Sequence, residues 1–244
     1  MKWSSASVCS SGRGGECLRI KKGIALLLCL VLAAVLGGCG ETSTFADVPN
    51  PVATIELSNG KKITLELFVQ EAPNTVANFV ELANSGFYDG QRFFRIVSGV
   101  LIQSGDPENS GYGGTDHVIQ GEFAKNGIKN DVSHTRGTIS MARQTGYDTA
   151  SSQFFIMQGN YPEYDGEYAA FGRATDEESL EAIDEIAATP VDGNYRAIGA
   201  VPNIVTIRVE TYGYSYTASK LEAEEQLQAH KYIEFNAGDT EEDD

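Results

Sequence analysis

Residues 93–107 read FFRIVSGVLIQSGDP. Phe93, Ile96, Val97, Val100, Leu101 and Ile102 supply the aromatic, β-branched and aliphatic positions of two short strands, and Ser98-Gly99 breaks the run between them. Arg95 and Gln103 lie inside this apolar text. An arginine so placed turns either to solvent or into a cleft that needs a fixed cation with several hydrogen-bond donors.

The flanking sequence extends the β pattern on both sides. Towards the N-terminus, Val52–Leu57 and residues 63–67 alternate apolar and polar around Ser58-Asn59-Gly60, the signature of a hairpin. Residues 72–83 place Val76, Phe79, Val80 and Ala83 at helical spacing, with Gly86 as the stop. Towards the C-terminus, the spacing predicts strands over residues 138–143, 152–158, 168–172 and 201–210. It predicts a second helix over 176–188 with Leu180, Ile183, Ile186 and Ala187 on one face. Strict βαβ alternation is missing, so the pattern favours a mainly β fold, an antiparallel sheet closed on itself with helices at its ends. The glycine-rich segment 105–114 lacks a Gly-Lys-Ser/Thr ending and precedes no helical pattern, which disfavours a phosphate loop.

The two ends of the chain read differently. Residues 1–22 carry Lys2, Arg13, Arg19, Lys21 and Lys22; residues 24–36 are uncharged, and Leu36-Gly37-Gly38-Cys39 follows. This is the order of an export signal whose apolar run is too short to span a bilayer comfortably. The last four residues are similar to a bacterial lipobox, which implies cleavage after residue 38 and lipidation of Cys39. The expectation is an exported protein held by lipid at the outer face of a bacterial membrane. Residues 39–51 read as a tether. Residues 211–244 form an extension, with helical spacing over 220–233 and an acidic, solvated end. Cys9, Cys17, Cys29 and Cys39 all lie at or before the cleavage point, so the folded part must hold together without disulfides.

The chain has 18 Lys+Arg and 34 Asp+Glu, a formal net charge of −16. Removing residues 1–38 leaves 13 basic and 33 acidic residues, a net of −20. Such a surface repels nucleic acid. His117, His134 and His230 stand in unlike contexts and suggest no metal cluster, and His134 reads as structural.

Four motifs in order decide the family reading. They are Phe93-x-Arg95-Ile96-x-x-Gly99-x-x-Ile102-Gln103-x-Gly105-Asp106, Gly137-x-Ile139-Ser140-Met141-Ala142, Ser152-Gln153-Phe154-Phe155-Ile156, and Asp165-Gly166-x-Tyr168-x-x-Phe171-Gly172. Over residues 52–210 the chain resembles the cyclophilin-type peptidyl-prolyl cis-trans isomerases. The resemblance implies a closed eight-stranded antiparallel β-barrel capped by two α-helices, with proline-containing peptides bound on its outer face. It implies Arg95 as the catalytic arginine, Gln103 as its positioning and substrate-contacting neighbour, and Leu101 and Phe155 as pocket walls. Gln153 would be a polar groove position, and the backbone of Ala142 and Arg143 the edge along which the peptide lies. Val100, Tyr164 and Tyr168 take the places of a pocket phenylalanine, leucine and histidine, and Glu163 that of a tryptophan linked to cyclosporin binding. Neither cofactor nor metal is expected. The expected partners are proline-containing peptides and unfolded exported proteins, with the chain acting as a monomer. Val100 motivates the alternative of a non-catalytic binding module or chaperone using the same groove; Arg95, Gln103 and Phe155 favour the enzyme.

Overall fold

A computed structural model of the chain describes residues 47–222. The expectations for the leader, Cys39, residues 39–46 and residues 223–244 lie outside the described residues. The elements run β1 (Val52–Leu57), β2 (Lys62–Leu67), α1 (Pro73–Asn84), β3 (Arg95–Val97), β4 (Leu101–Ser104), β5 (His117–Val118) and β6 (Thr138–Met141). They continue β7 (Phe154–Met157), β8 (Ala170–Ala174), α2 (Glu177–Ala187), β9 (Ile204–Glu210) and β10 (Leu221–Glu222).

The β1–β2 hairpin forms where the alternation predicts it. Gly60, at φ 83°, takes the left-handed position of the loop, where a Cβ would be strained, and its N–H donates to the Leu57 carbonyl at 2.9 Å. The register sets Ile55 opposite Ile63 and Ala53 opposite Leu65, so one face of both strands is buried. Eight strands join into one antiparallel sheet in the order β3-β4-β7-β6-β8-β2-β1-β9. The sheet curls around a single apolar interior as a half-barrel.

Register explains how a strand run can serve two masters. Ile96, Ile102, Ile156 and Ile139 are directly opposite one another on β3, β4, β7 and β6, and all four are fully buried in the interior. Side chains alternate faces along a strand, so the neighbours of these isoleucines must point outwards together. The outward row that results is Arg95, Gln103, Phe155 and Ser140. A second outward row is Val97, Leu101 and Met157.

Both predicted helices are present. Helix α1 packs against β9, and α2 packs against β2, β3 and β4. Phe79 of α1 lies 5.2 to 5.5 Å, ring centre to ring centre, from Tyr88, Phe154 and Phe171. Such aromatic pairs add about 0.5–1.5 kcal/mol each beyond burial, and these bind α1 to β7 and β8. Helix α2 carries its own cap: Asp176 accepts the Ser179 N–H at 2.8 Å. Helix α1 does not, because Ala72 stands at its N-cap. Glu122, buried on a distant loop, caps it instead. Its carboxylate accepts the Thr75 N–H at 2.7 Å, the Thr75 hydroxyl at 2.6 Å and the Asn74 N–H at 3.1 Å.

Of the C-terminal extension, residues 211–222 are described. At the start of the stretch with helical spacing, Leu221 and Glu222 are extended and pair with Val118 and His117. The open edge of β5 offers backbone partners there, and this outweighs local helical preference. The preceding residues lie along α1: Ser219 and Asn74 exchange hydrogen bonds, Lys220 pairs with Glu81, and Tyr216 and Ala218 are buried.

Glu122→Ala is expected to destabilise the fold by about 1–3 kcal/mol, because it leaves the first turn of α1 with buried donors unmet. Denaturant unfolding measures it, and Glu122→Gln, which keeps one acceptor oxygen, should recover part of the loss.

Candidate active site

The outward rows create a surface that is polar at one end and apolar at the other. Arg95 Nη1 donates to Gln103 Oε1 at 3.0 Å, and Gln103 Nε2 donates to Gln153 Oε1 at 2.9 Å. Gln153 Nε2 in turn donates to the carbonyls of Gly113 at 2.8 Å and Gly111 at 3.2 Å. The direction of this relay is fixed at both ends. A guanidinium only donates and a carbonyl only accepts, so each amide has one orientation that satisfies it. Gln103 is 8% exposed, and the amide is therefore held against the sheet.

Arg95 is half-buried, and among the described residues no carboxylate stands within ion-pair range of it. Burial lowers its pKa from the usual arginine value, although the side chain stays cationic at any physiological pH. Gln103, being neutral, fixes the guanidinium without cancelling its charge. The remaining N–H donors of Arg95 make no hydrogen bond within the described residues.

Beside Arg95 lies an apolar cluster of Val97, Val100, Leu101, Ala142, Phe155 and Met157, distinct from the interior. Tyr161, Tyr164, Tyr168 and Tyr195 pack against it. Tyr168 meets Phe155 edge-on at 5.5 Å, and Tyr164 meets Phe155 at 6.0 Å. Burial raises the pKa of both tyrosines, so both are neutral phenols. The Val97–Val100 turn, closed by the Val100 N–H to Val97 carbonyl bond at 2.9 Å, brings Val100 into the cluster. The Ala142 N–H is already engaged with the Gln153 carbonyl at 2.9 Å. The Arg143 side chain is enclosed by Phe123, Tyr147 and Tyr168, each ring centre 4.9 to 5.3 Å from its guanidinium carbon, and its Nε donates to the Glu167 carbonyl. Glu163 is exposed.

His134 stands behind this surface. Its ring stacks on Phe155 at 6.0 Å, Nδ1 lies 2.9 Å from Asp165 Oδ1, and Nε2 lies 3.0 Å from Ser140 Oγ. A carboxylate can only accept, so Nδ1 carries the proton and Nε2 accepts from Ser140. Burial lowers the pKa of the ring, and Asp165 offsets this only in part. Among the described residues no three His, Cys, Asp or Glu side chains are grouped to hold a metal ion.

A family model described as cyclophilin type peptidyl-prolyl cis-trans isomerase/CLD matches residues 52–209. The chain belongs to the cyclophilin-type peptidyl-prolyl cis-trans isomerase family. The family's activity, rotation of X-Pro peptide bonds, is therefore this chain's. A peptidyl-prolyl cis-trans isomerase of Helicobacter pylori is 47% identical over 134 residues, 55% of this chain and 79% of that protein. Peptidyl-prolyl cis-trans isomerase B of Bacillus subtilis is 43% identical over 119 residues, 49% of this chain and 80% of that protein. A crystal structure of a Cryptosporidium parvum cyclophilin type isomerase, obtained in the presence of the dipeptide Ala-Pro, aligns with a TM-score of 0.57 at 29% identity, covering 65% of this chain and 98% of that one.

The structure brings Arg95, Gln103, Gln153, Leu101, Val100, Phe155, Ala142, Tyr164 and Tyr168 to one face, with the backbone of Arg143 at its border. Sequence reasoning missed Tyr161 and Tyr195, and it missed the Gly111 and Gly113 carbonyls that end the relay. Tyr161, three residues before Tyr164, could have been suspected; Tyr195 left no local signal.

The ring protons of His134, followed by NMR, should titrate with a midpoint below 6.5, the ordinary value. The unfolded chain then binds more protons than the native one as pH falls through that value. The His134 contribution is thus intact above about pH 6.5 and is lost on acidification towards the folded pKa. Unfolding at about pH 7.5 and 5.5 should show a smaller acid loss in His134→Gln than in the wild type. A midpoint at or above 6.5 would contradict the assignment.

Proposed function

We propose that Arg95 stabilises the twisted X-Pro bond of exported polypeptides while the apolar cluster beside it holds the prolyl ring. The barrier to such rotation, about 18–20 kcal/mol for an amide, arises from resonance that is lost as the bond twists and the prolyl nitrogen regains a lone pair. A donor that meets this lone pair only in the twisted form lowers the barrier without binding the planar form more tightly. The observation that carries the reading is an arginine fixed by a neutral amide, with donors left over, at the rim of an aromatic-walled apolar surface. Leu101 and Phe155 form the wall in this reading, Tyr164 and Tyr168 its far side, and Gln103 and Gln153 the polar floor.

The sheet is further read as a closed barrel. The Gly90 N–H donates to the Ile204 carbonyl at 2.8 Å, the Ile204 N–H donates to the Gln91 carbonyl at 2.8 Å, and Arg92 bridges to Asn203. These bonds join the segment before β3 to the start of β9, the two ends of the strand order, and so support closure. Export and lipid attachment at Cys39 are read from the leader composition and the polar segment after it, and would place the enzyme among polypeptides emerging across the membrane.

Arg95→Ala should lower kcat/KM for a proline peptide by about 100-fold or more in a protease-free isomerisation assay, with an unchanged melting transition. Because Arg95 does not titrate and His134 is neutral there, the wild-type rate should be flat from about pH 6.5 to 8.5. A bell-shaped profile would reveal an acid or base outside this scheme.

Lipid attachment has its own test. In a bacterial host fed a palmitate analogue, the full chain should incorporate label and partition with membranes, and Cys39→Ser should lose both. Label retained in Cys39→Ser would refute attachment at that residue.

A further inference from the structure

The edge of β3 is covered by a loop. The Ile96 N–H donates to the Tyr195 carbonyl at 2.9 Å, and Arg196 bridges to Arg95 in antiparallel register. Residues directly opposite in an antiparallel pair put their side chains on the same face. Arg196 therefore extends the outward row, which now reads Arg196, Arg95, Gln103, Phe155. The positive charge of Arg196 is felt at Arg95, where it opposes protonation.

Next to this row is a pocket of about 360 Å³ lined by Arg92, Phe94, Asn109, Ser110, Arg196 and Ala197. Its two cations are positioned by backbone carbonyls. Arg92 Nη2 donates to Gly199 at 3.2 Å, Arg196 Nη1 donates to Asn109 at 3.2 Å, and Arg196 Nη2 donates to Ser110. The Arg196 guanidinium lies 5.5 Å over the ring of Phe94, which is buried beneath it and outside the interior cluster. Among the described residues Arg92 has no ion-pair partner. Two carboxylates of the flanking loops are engaged within their own loops: Asp106 accepts the N–H groups of Glu108 and Gly111 and the Ser110 hydroxyl, and Asp192 accepts the N–H groups of Asn194 and Arg196. In a chain of net charge −16, a pocket whose charged lining is two guanidiniums concentrates positive potential at one place beside the reaction site.

We infer that this pocket is a subsite for an acidic side chain, an Asp or Glu of the bound peptide close in sequence to its proline. The inference rests on the groove reading above. A carboxylate entering between Arg92 and Arg196 gains charge-assisted hydrogen bonds from donors that are already held in place. Its methylenes meet the Phe94 ring and Ala197. A lysine in the same place meets two like charges.

The test uses proline peptides that carry Glu, the isosteric Gln or Lys at each position flanking the proline. In the wild type, kcat/KM should favour Glu over Gln by about 3- to 10-fold at one position. The preference should shrink as salt is raised. It should fall close to one in Arg92→Gln and in Arg196→Gln. Arg208→Gln removes the same charge from β9, where Arg208 pairs with Asp89, and should keep it. If Arg196→Gln does not fold, Arg92→Gln carries the test, since the Arg92 side chain holds the loop through one bond. Equal rates for Glu and Gln at every position in the wild type would overturn the subsite, as would a preference that survives Arg92→Gln. Failure to turn over any peptide, the Gln series included, would overturn the groove reading and the subsite with it.

Discussion

A half-buried guanidinium with a glutamine rather than a carboxylate at its side is the constraint on which the rest of this site depends. A carboxylate would hold Arg95 more strongly, but it would also cancel the charge on which the role proposed for Arg95 depends. The neutral partner costs rigidity, and the fold restores it by lengthening the chain of bonds. Gln103 is anchored on Gln153, and Gln153 on two glycine carbonyls. Those glycines lie in a loop that must pass close to the sheet. At Gly105 a Cβ would come within 2.3 Å of the Ser152 carbonyl oxygen, so the strand can turn into the loop there only as glycine. The glycine-rich segment that could be mistaken for a phosphate loop is therefore the fixed end of the arginine relay.

The apolar half of the site is held from behind by a different device. Phe155 faces outwards on β7, and its ring rests on His134, which Asp165 and Ser140 hold in one tautomer. Ser140 belongs to the same transverse row as Phe155, so backbone register and side-chain hydrogen bonding fix the ring together. Tyr164 and Tyr168 then meet the Phe155 ring edge-on, at 79° and 90°. Val100 is buried within the apolar cluster, and the four tyrosines packed against it supply aromatic area.

Much of this was legible because it is local. The hairpin, both helices and the strand runs follow from alternation and helical spacing. Arg95 and Gln103 stood out in apolar strand text, and it was the resemblance carried by the four motifs together that assigned them to a site. What the sequence hid is held by long-range bonds. Glu122 caps a helix 47 residues away, and Leu221 pairs with Val118 although its own neighbourhood has helical spacing. Neither leaves a periodic trace, because a single tertiary hydrogen bond makes no demand on the residues beside it. Tyr195 adopts φ 60°, a conformation uncommon for an aromatic residue, in a turn closed by its own N–H to the Asp192 carbonyl at 3.1 Å and by the Asp192 N–H to the Arg196 carbonyl at 2.9 Å. Its carbonyl then reaches the distant Ile96 N–H.

That pairing joins two needs. An edge strand as short as β3 leaves backbone groups that would otherwise be open to another chain, and covering them with residues 195–197 removes the hazard. The cover also has side chains, and antiparallel register decides where they go. Arg196 must land beside Arg95, and Tyr195 reaches the apolar cluster. Ala197 of this loop packs against the interior, whereas Tyr195 packs against the outer cluster and Arg196 lies over Phe94, so the backbone protects the edge while two of the three side chains lie outside the interior. In the proposed subsite, selection near the proline would fall to this covering segment, while the proposed action on the bond falls to the relay anchored on Gln153.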